Sequence, residues 1–262
     1  MNMKILSILF FLILLSRLTV AQVFNYAADP THIPAYTTIA ASGASSTSTL
    51  NIPYPTTVVK GQIIILAIAY KYSGATVTPT GFTSIASLAS ALGGGTGEDL
   101  GDPVIHVYYK IADGTEGGTN FSTTFSSGSA ITGRTFLLTK DSRYNWSILS
   151  ASGTDNTSGT GYSITTSSNL ILKKGDVILA CSATTVQTVG FGTGTLTHSG
   201  STFATLLKPQ DTGTSAGFNV RLGVQHSTVL TSSGTNAAMT FASTLSGSSW
   251  GPTVIVVLRQ TL

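Results

Sequence analysis

From Leu50 onward the chain repeats one pattern: a short β-branched or apolar run, then a turn rich in Gly, Asn, Asp, Ser or Pro. The clearest runs are Gln62 to Tyr70, Val104 to Ile111, Arg134 to Thr139, Asp176 to Ala183, Phe218 to His226 and Thr253 to Arg259. Others lie at Asn120 to Ser126, Asn145 to Ala151, Asn169 to Leu172 and Ala238 to Ser243. Runs of this length, bounded in this way, read as strands. Ile63-Ile64-Ile65-Leu66 and Val254 to Leu258 are apolar at every position, which predicts central strands covered on both faces. Only Ser84 to Leu92 has helical spacing, with Ile85, Leu88, Ala89 and Leu92 at i, i+3, i+4 and i+7 before Gly93-Gly94-Gly95. The expectation is an all-β chain with at most that one short helix.

The runs also recur in order. Lys60-Gly61-Gln62-Ile63-Ile64-Ile65-Leu66-Ala67 is echoed by Lys174-Gly175-Asp176-Val177-Ile178-Leu179-Ala180. Val104 to Lys110 is matched in pattern by Phe218 to Val224, and Thr124-Phe125-Ser126-Ser127 by Thr240-Phe241-Ala242-Ser243. Gly133-Arg134-Thr135-Phe136 recurs as Gly251-Pro252-Thr253-Val254, and the separations run from 114 to 118 residues. Two related halves, about 50–139 and 163–259, are therefore expected. A period this long is not that of a solenoid. Two halves of four or five strands interleave or pack into one jelly-roll-like antiparallel β-sandwich spanning 50–262.

Ahead of the sandwich, Lys4, the apolar stretch Ile5 to Leu15 and the small residues Thr19-Val20-Ala21 have the layout of a secretory signal peptide over residues 1–21. Arg17 interrupts the stretch before it reaches the roughly 20 residues a membrane span needs. Secretion or surface display follows, with no stable span after cleavage. Residues 22–49, with Asp29-Pro30, Ile33-Pro34 and a Ser/Thr-rich end, read as an N-terminal arm or first edge strand. Without residues 1–21 the chain carries 11 basic and 10 acidic residues, a balance with no electrostatic footprint for nucleic acid. Only 9% of residues are charged while 42% are hydrophobic, so polar surface comes from hydroxyls and disorder is excluded. Cys181, the single cysteine, has no intramolecular disulfide partner and sits in an apolar run, which points to a buried, inert thiol.

One set of motifs has a wider resemblance. K-G-[QD]-x-I-x-L-A, then Pro79-Thr80-Gly81-Phe82-Thr83-Ser84-Ile85, then Tyr108-Tyr109-Lys110-Ile111-Ala112, then Phe121 to Ser127, resemble a β-sandwich module of bacterial extracellular proteins and phage tail or virion proteins. The similarity covers about residues 50 to 260. The chain departs from it in the acidic insertion Gly93 to Pro103 and in Phe82, where the module usually has Trp. The resemblance implies display, adhesion or virion architecture.

Catalytic chemistry needs a converging set of acid, base, nucleophile or metal. His32, His106, His198 and His226 form no H-E-x-x-H or H-x-x-x-H pattern; Gly43-Ala44-Ser45 lacks the closing glycine of a G-x-S-x-G elbow, and Gly128-Ser129-Ala130 follows no strand-to-helix pattern. His106 and His226 fall on equivalent strands of the two halves, either as outward positions or as a pair able to meet a metal. The acids lie in turn-like segments such as Ala112-Asp113-Gly114, as turn chemistry explains. Glu98, Asp99 and Asp102 put three carboxylates on one glycine-rich loop, either a solvated loop or a calcium site. Tyr144 and Trp146 offer faces for stacking on a sugar ring, unless Trp146 begins a strand and packs inward. Asn120, Asn145 and Asn156 each open an N-x-[ST] sequon, relevant in a eukaryotic secretory pathway.

The expected function is that of a non-enzymatic extracellular structural or adhesive protein, needing no cofactor beyond possible calcium. Its partner is a protein or a glycan at a surface, with homo-oligomers through edge strands or the arm. A virion structural protein and a glycan-binding module are the alternatives.

Overall fold

The computed structural model describes residues 38–45, 49–71, 79–89, 103–124, 131–139, 145–166, 169–173, 175–184, 190–198, 201–205, 210–213, 220–227 and 236–261. The expected signal peptide, at residues 1–21, lies outside them. Among the described residues sixteen strands follow one another: β1 (Thr38–Ser45), β2 (Thr49–Pro53), β3 (Ile63–Lys71), β4 (Thr83–Ala89), β5 (Pro103–Ile111), β6 (Asn120–Thr124), β7 (Ile131–Leu138) and β8 (Asn145–Thr165). Then come β9 (Leu170–Ile171), β10 (Val177–Thr184), β11 (Thr195–His198), β12 (Ser201–Thr205), β13 (Gln210–Gly213), β14 (Arg221–His226), β15 (Asn236–Ala237) and β16 (Met239–Thr261). Every pairing among them is antiparallel, and the described residues contain no helix.

Two sheets form the sandwich. One runs β1-β7-β3-β5-β4 and draws all its strands from residues 38–138. In the other, the C-terminal part of β16 lies between β10 and the first part of β8, giving β8-β16-β10-β14-β13. The strand order is thus the same in both sheets. They pack with that order reversed, β1 against β13 and β4 against β8.

The central strands are buried on both faces, as their unbroken apolar runs predict. Ile63, Ile65, Ala67 and Ala69 of β3 face Val177, Leu179, Cys181 and Ala183 of β10 and Val254, Val256 and Leu258 of β16 in the core between the sheets. Alternate residues of a strand point to opposite faces, so Ile64, Leu66, Ile68 and Tyr70 need a second cover. The β2–β6 ribbon supplies it with Leu50, Ile52 and Phe121. On the other sheet, Ile178, Ala180, Ile255 and Val257 are capped by Ile164, Leu196, Met239 and Phe241.

That last cover comes from the same strands it protects. β16 pairs along β8 from Thr240–Thr165 to Thr261–Asn145, with register shifts between Thr244 and Gly251. The shifts break the ribbon into an inner stretch belonging to the sandwich and an outer stretch joined by β11 and β12. Gly251, at φ +150°, sits at the break, and a Cβ there would lie 2.2 Å from the Ala183 carbonyl oxygen. Buried Asn156 ties the break together. Its Nδ2 donates to the Gly251 carbonyl (3.2 Å) and to Thr253 Oγ1 (3.0 Å), and its Oδ1 accepts the Ser163 N–H (2.9 Å).

One expectation needs correction. The helix expected from Ser84 is strand β4, which begins at Thr83 and pairs with β5. A register shift between Ser84 and Ala86 inserts one extra residue. It breaks the period-two spacing, so the apolar positions fall three and four apart, as in a helix. A helix that short nucleates poorly, and the turn Pro79 to Phe82, closed by Phe82 N–H on the Pro79 carbonyl (3.1 Å), feeds the strand directly. Within the stretch 22–49, expected as an arm or first edge strand, residues 38–45 are β1, an edge strand of its sheet, in register with β7.

Candidate functional site

The recurring K-G-[QD] motif is a turn. Gly61 and Gly175 take φ values of 87° and 95°, which favour glycine. The following residue donates its N–H back three positions, Gln62 to Val59 (3.2 Å) and Asp176 to Lys173 (3.1 Å). Its side chain then accepts the N–H of that same residue: Gln62 Oε1 from Val59, and Asp176 Oδ2 from Lys173, both at 2.8 Å. Asp176 is also held by Arg259, so a fully buried carboxylate has both oxygens paired.

Glu116 and Asp113 are likewise engaged by their loop. Glu116 is buried, ion-paired to Lys110 (2.8 Å), and accepts the N–H groups of Asp113 and Gly114. Burial opposes its ionisation, but Lys110 and those N–H groups outweigh it and hold the carboxyl below its ordinary value. Lys110 also lies over the rings of Tyr54 and Phe82, and burial, with Glu116 and Asp113 nearby, pushes the Tyr54 hydroxyl up to about 12. Asp113 accepts both the N–H and the hydroxyl of Thr115, a local turn that lowers its pKa.

Glu98, Asp99, Asp102 and Tyr144 lie outside the described residues. Among the described residues no group of three or more His, Cys, Asp or Glu comes together in a metal-holding cluster. Trp146 is packed into the core between the sheets, and its Nε1 donates to the Thr139 carbonyl at 3.0 Å. Its ring has no free face for a sugar. Cys181 is fully buried in the same core, and desolvation pushes its thiol up to about 12. Asn120 and Asn145 are exposed, whereas Asn156 is buried and fully used at the β16 break.

His106 and His226 have different surroundings. His226 Nδ1 meets the Ser227 carbonyl at 3.0 Å. His106 lies between two tyrosine rings, each 5.6 Å away and nearly parallel to it. Tyr70 Oη meets its Nε2 at 3.1 Å and Tyr108 Oη its Nδ1 at 2.9 Å. Desolvation lowers the His106 pKa and raises that of Tyr108.

A feature that the sequence reading missed lies on the outer stretch of β8 and β16. There the exposed residues are small or hydroxyl-bearing: Gly161, Ser163, Ala242, Thr244 and Thr195. Cross-strand pairing sets Ser163 and Thr195 on either side of Ala242, and Gly161 beside Thr244. Thr193 completes a trough of about 380 Å³ over this floor. Its wall is the segment 190–194, latched to β16 along its length. Gly192 N–H donates to the Thr244 carbonyl (2.8 Å), Ser243 Oγ to the Gly192 carbonyl (2.9 Å), and Ser246 and Gly190 exchange two bonds. Buried Gln225 crosses behind, accepting the Gly194 N–H and donating to Ser243 Oγ. A Cβ on Gly192 or Gly194 would collide with Thr244 or Phe241, so only glycine admits so close an approach. Burial alternates from Thr240 to Leu245, but residue type does not, since Ser243 lies inward and Ala242 outward. No family model, curated protein or solved structure matches this chain.

Proposed function

We propose that this protein is an extracellular structural or adhesive component that assembles through the open edge of its five-stranded sheet. The observation that carries the reading is β1. It ends its sheet, pairs with β7 over eight residues without a register shift, and has no other strand partner among the described residues. Its sequence, Thr38-Ile39-Ala40-Ala41-Ser42-Gly43-Ala44-Ser45, contains no charge and no proline. Sheets that stay monomeric guard such edges with Lys, Pro or bulges, because a bare edge templates strand addition. The described charged clusters support a structural role as well. Glu116, Asp113 and Asp176 are spent on turns and on Lys110 and Arg259. The export reading rests on the pattern of residues 4–22. The shared strand order of the two sheets supports their origin as related halves.

Proline scanning of β1 tests the assembly. In an antiparallel ladder alternate residues turn their N–H toward the partner, so Ala40→Pro and Ala41→Pro divide the two sides. One breaks pairing to β7 and lowers thermal stability. The other leaves the fold intact and abolishes the oligomer seen by analytical ultracentrifugation. A protein monomeric at all concentrations, or an oligomer that survives both substitutions, overturns the reading.

A further inference from the structure

We infer that the trough over Ala242 binds a neutral saccharide chain. None of its lining residues is charged: Gly161, Tyr162, Ser163, Thr193, Thr195, Ala242, Ser243 and Thr244 form it. A phosphate or carboxylate ligand calls for Arg, Lys or converging N–H groups, and a cation for carboxylates. The hydroxyls of Ser163, Thr193, Thr195 and Thr244, at exposed positions, can donate and accept, which suits a ligand whose own groups are hydroxyls, while buried Tyr162 and Ser243 spend theirs on the Ala183 and Gly192 carbonyls. Between them, Ala242, Gly161 and the threonine methyl groups give an uncharged floor for the C–H face of a sugar ring.

The volume, about 380 Å³, lies at the small end of ligand sites and suits one or two rings. The hydroxyl pattern continues past the trough, where Thr165 and Thr240 join their hydroxyls at 2.8 Å and Thr197 donates to the Thr240 carbonyl at 3.4 Å. Successive exposed positions on a strand are about 6.8 Å apart and neighbouring strands about 4.8 Å, so a polymer lying along β16 meets the same chemistry row after row. The wall is fixed before any ligand arrives, through the Gly192, Ser243 and Gln225 bonds. Such preorganisation lowers the ordering cost of binding.

The test is an array of neutral hexasaccharides (glucan, xylan, mannan and chitin types) beside heparin and polygalacturonate, followed by calorimetric titration of any binder. At least one neutral glycan binds. Ala242→Arg, at an exposed position, fills the trough and removes detectable binding while the melting temperature is kept. Thr195→Val deletes one hydroxyl and weakens binding by about three- to tenfold, the loss of one hydrogen bond. The β1 proline variant that stays folded still binds, which separates this site from assembly at the edge. Binding of acidic glycans alone, of no glycan, or of a neutral glycan indifferent to Ala242→Arg overturns the inference.

Discussion

Arg259 grips Asp176 with two bonds, Nε to Oδ1 at 2.8 Å and Nη2 to Oδ2 at 2.7 Å, and donates a third from Nη2 to the Ile171 carbonyl at 2.8 Å. The last strand is thereby pinned to the turn that starts β10. Removing Arg259 leaves a buried carboxylate without its counter-charge, which costs about 3–5 kcal/mol in comparable cases. Arg259→Met is expected to lower the urea midpoint strongly. The double variant Arg259→Met/Asp176→Asn recovers part of the loss, because no charge is then stranded. Urea melts of the two variants measure the difference.

Acid weakens the fold at His106 before it reaches the carboxylates. Burial holds the folded His106 pKa below its ordinary 6.5, so the unfolded chain takes up the proton first as pH falls. Its contribution is whole above about pH 6.5 and diminishes as pH drops toward the folded value. The groups bonded to it are the Tyr70 hydroxyl from β3 and the Tyr108 hydroxyl from its own β5, and burial pushes the latter's pKa up, away from this range. Stability measured from pH 7 to 5 therefore falls, and His106→Gln flattens that slope. An unchanged slope in the variant excludes His106 as its source.

Gly251 and Gly81 both adopt positive φ, yet substitution affects them differently. A Cβ at Gly251 meets the Ala183 carbonyl, whereas one at Gly81 has nothing within 4 Å. Gly81→Ala costs only the backbone preference, about 1 kcal/mol. Gly251→Ala adds a backbone collision at the break in β16, and a loss of more than about 3 kcal/mol is expected. Thermal melts of the two variants rank them.

Cys181 answers a chemical question. Buried in the core between the sheets, with its thiol pushed up to about 12, it reacts with a thiol reagent only when the sandwich opens. The labelling rate at neutral pH is expected to track global unfolding and to rise steeply with urea. Prompt stoichiometric labelling of the native protein contradicts this placement.

The parts of the fold legible in sequence were those whose cause is local. Ile63 to Leu66 and Val254 to Leu258 are covered on both faces, and an uninterrupted apolar run states as much. Strand β4 was misread because one extra residue at its bulge disguised a period of two. Trp146 stood open between core and surface, since an aromatic at a strand start serves either. The K-G-[QD] recurrence was visible, but not that the Gln62 and Asp176 side chains close their own turns. The trough was invisible because its lining comes from three segments, around residues 162, 194 and 243, each an ordinary hydroxyl-rich strand by itself.

The break in β16 has a consequence for the order in which the molecule is completed. Strands β1 to β7 all find their partners within residues 38–138. A chain emerging from its N-terminus therefore holds a full set of pairing partners for its first sheet early. The second sheet is without its bridging strand until residues 239–261 appear, since β8, β10 and β11 all pair with β16. Through that interval the core facing the first sheet lacks Val254, Val256 and Leu258. When that one strand enters, its inner stretch completes the core between the sheets and its outer stretch completes the outer layer.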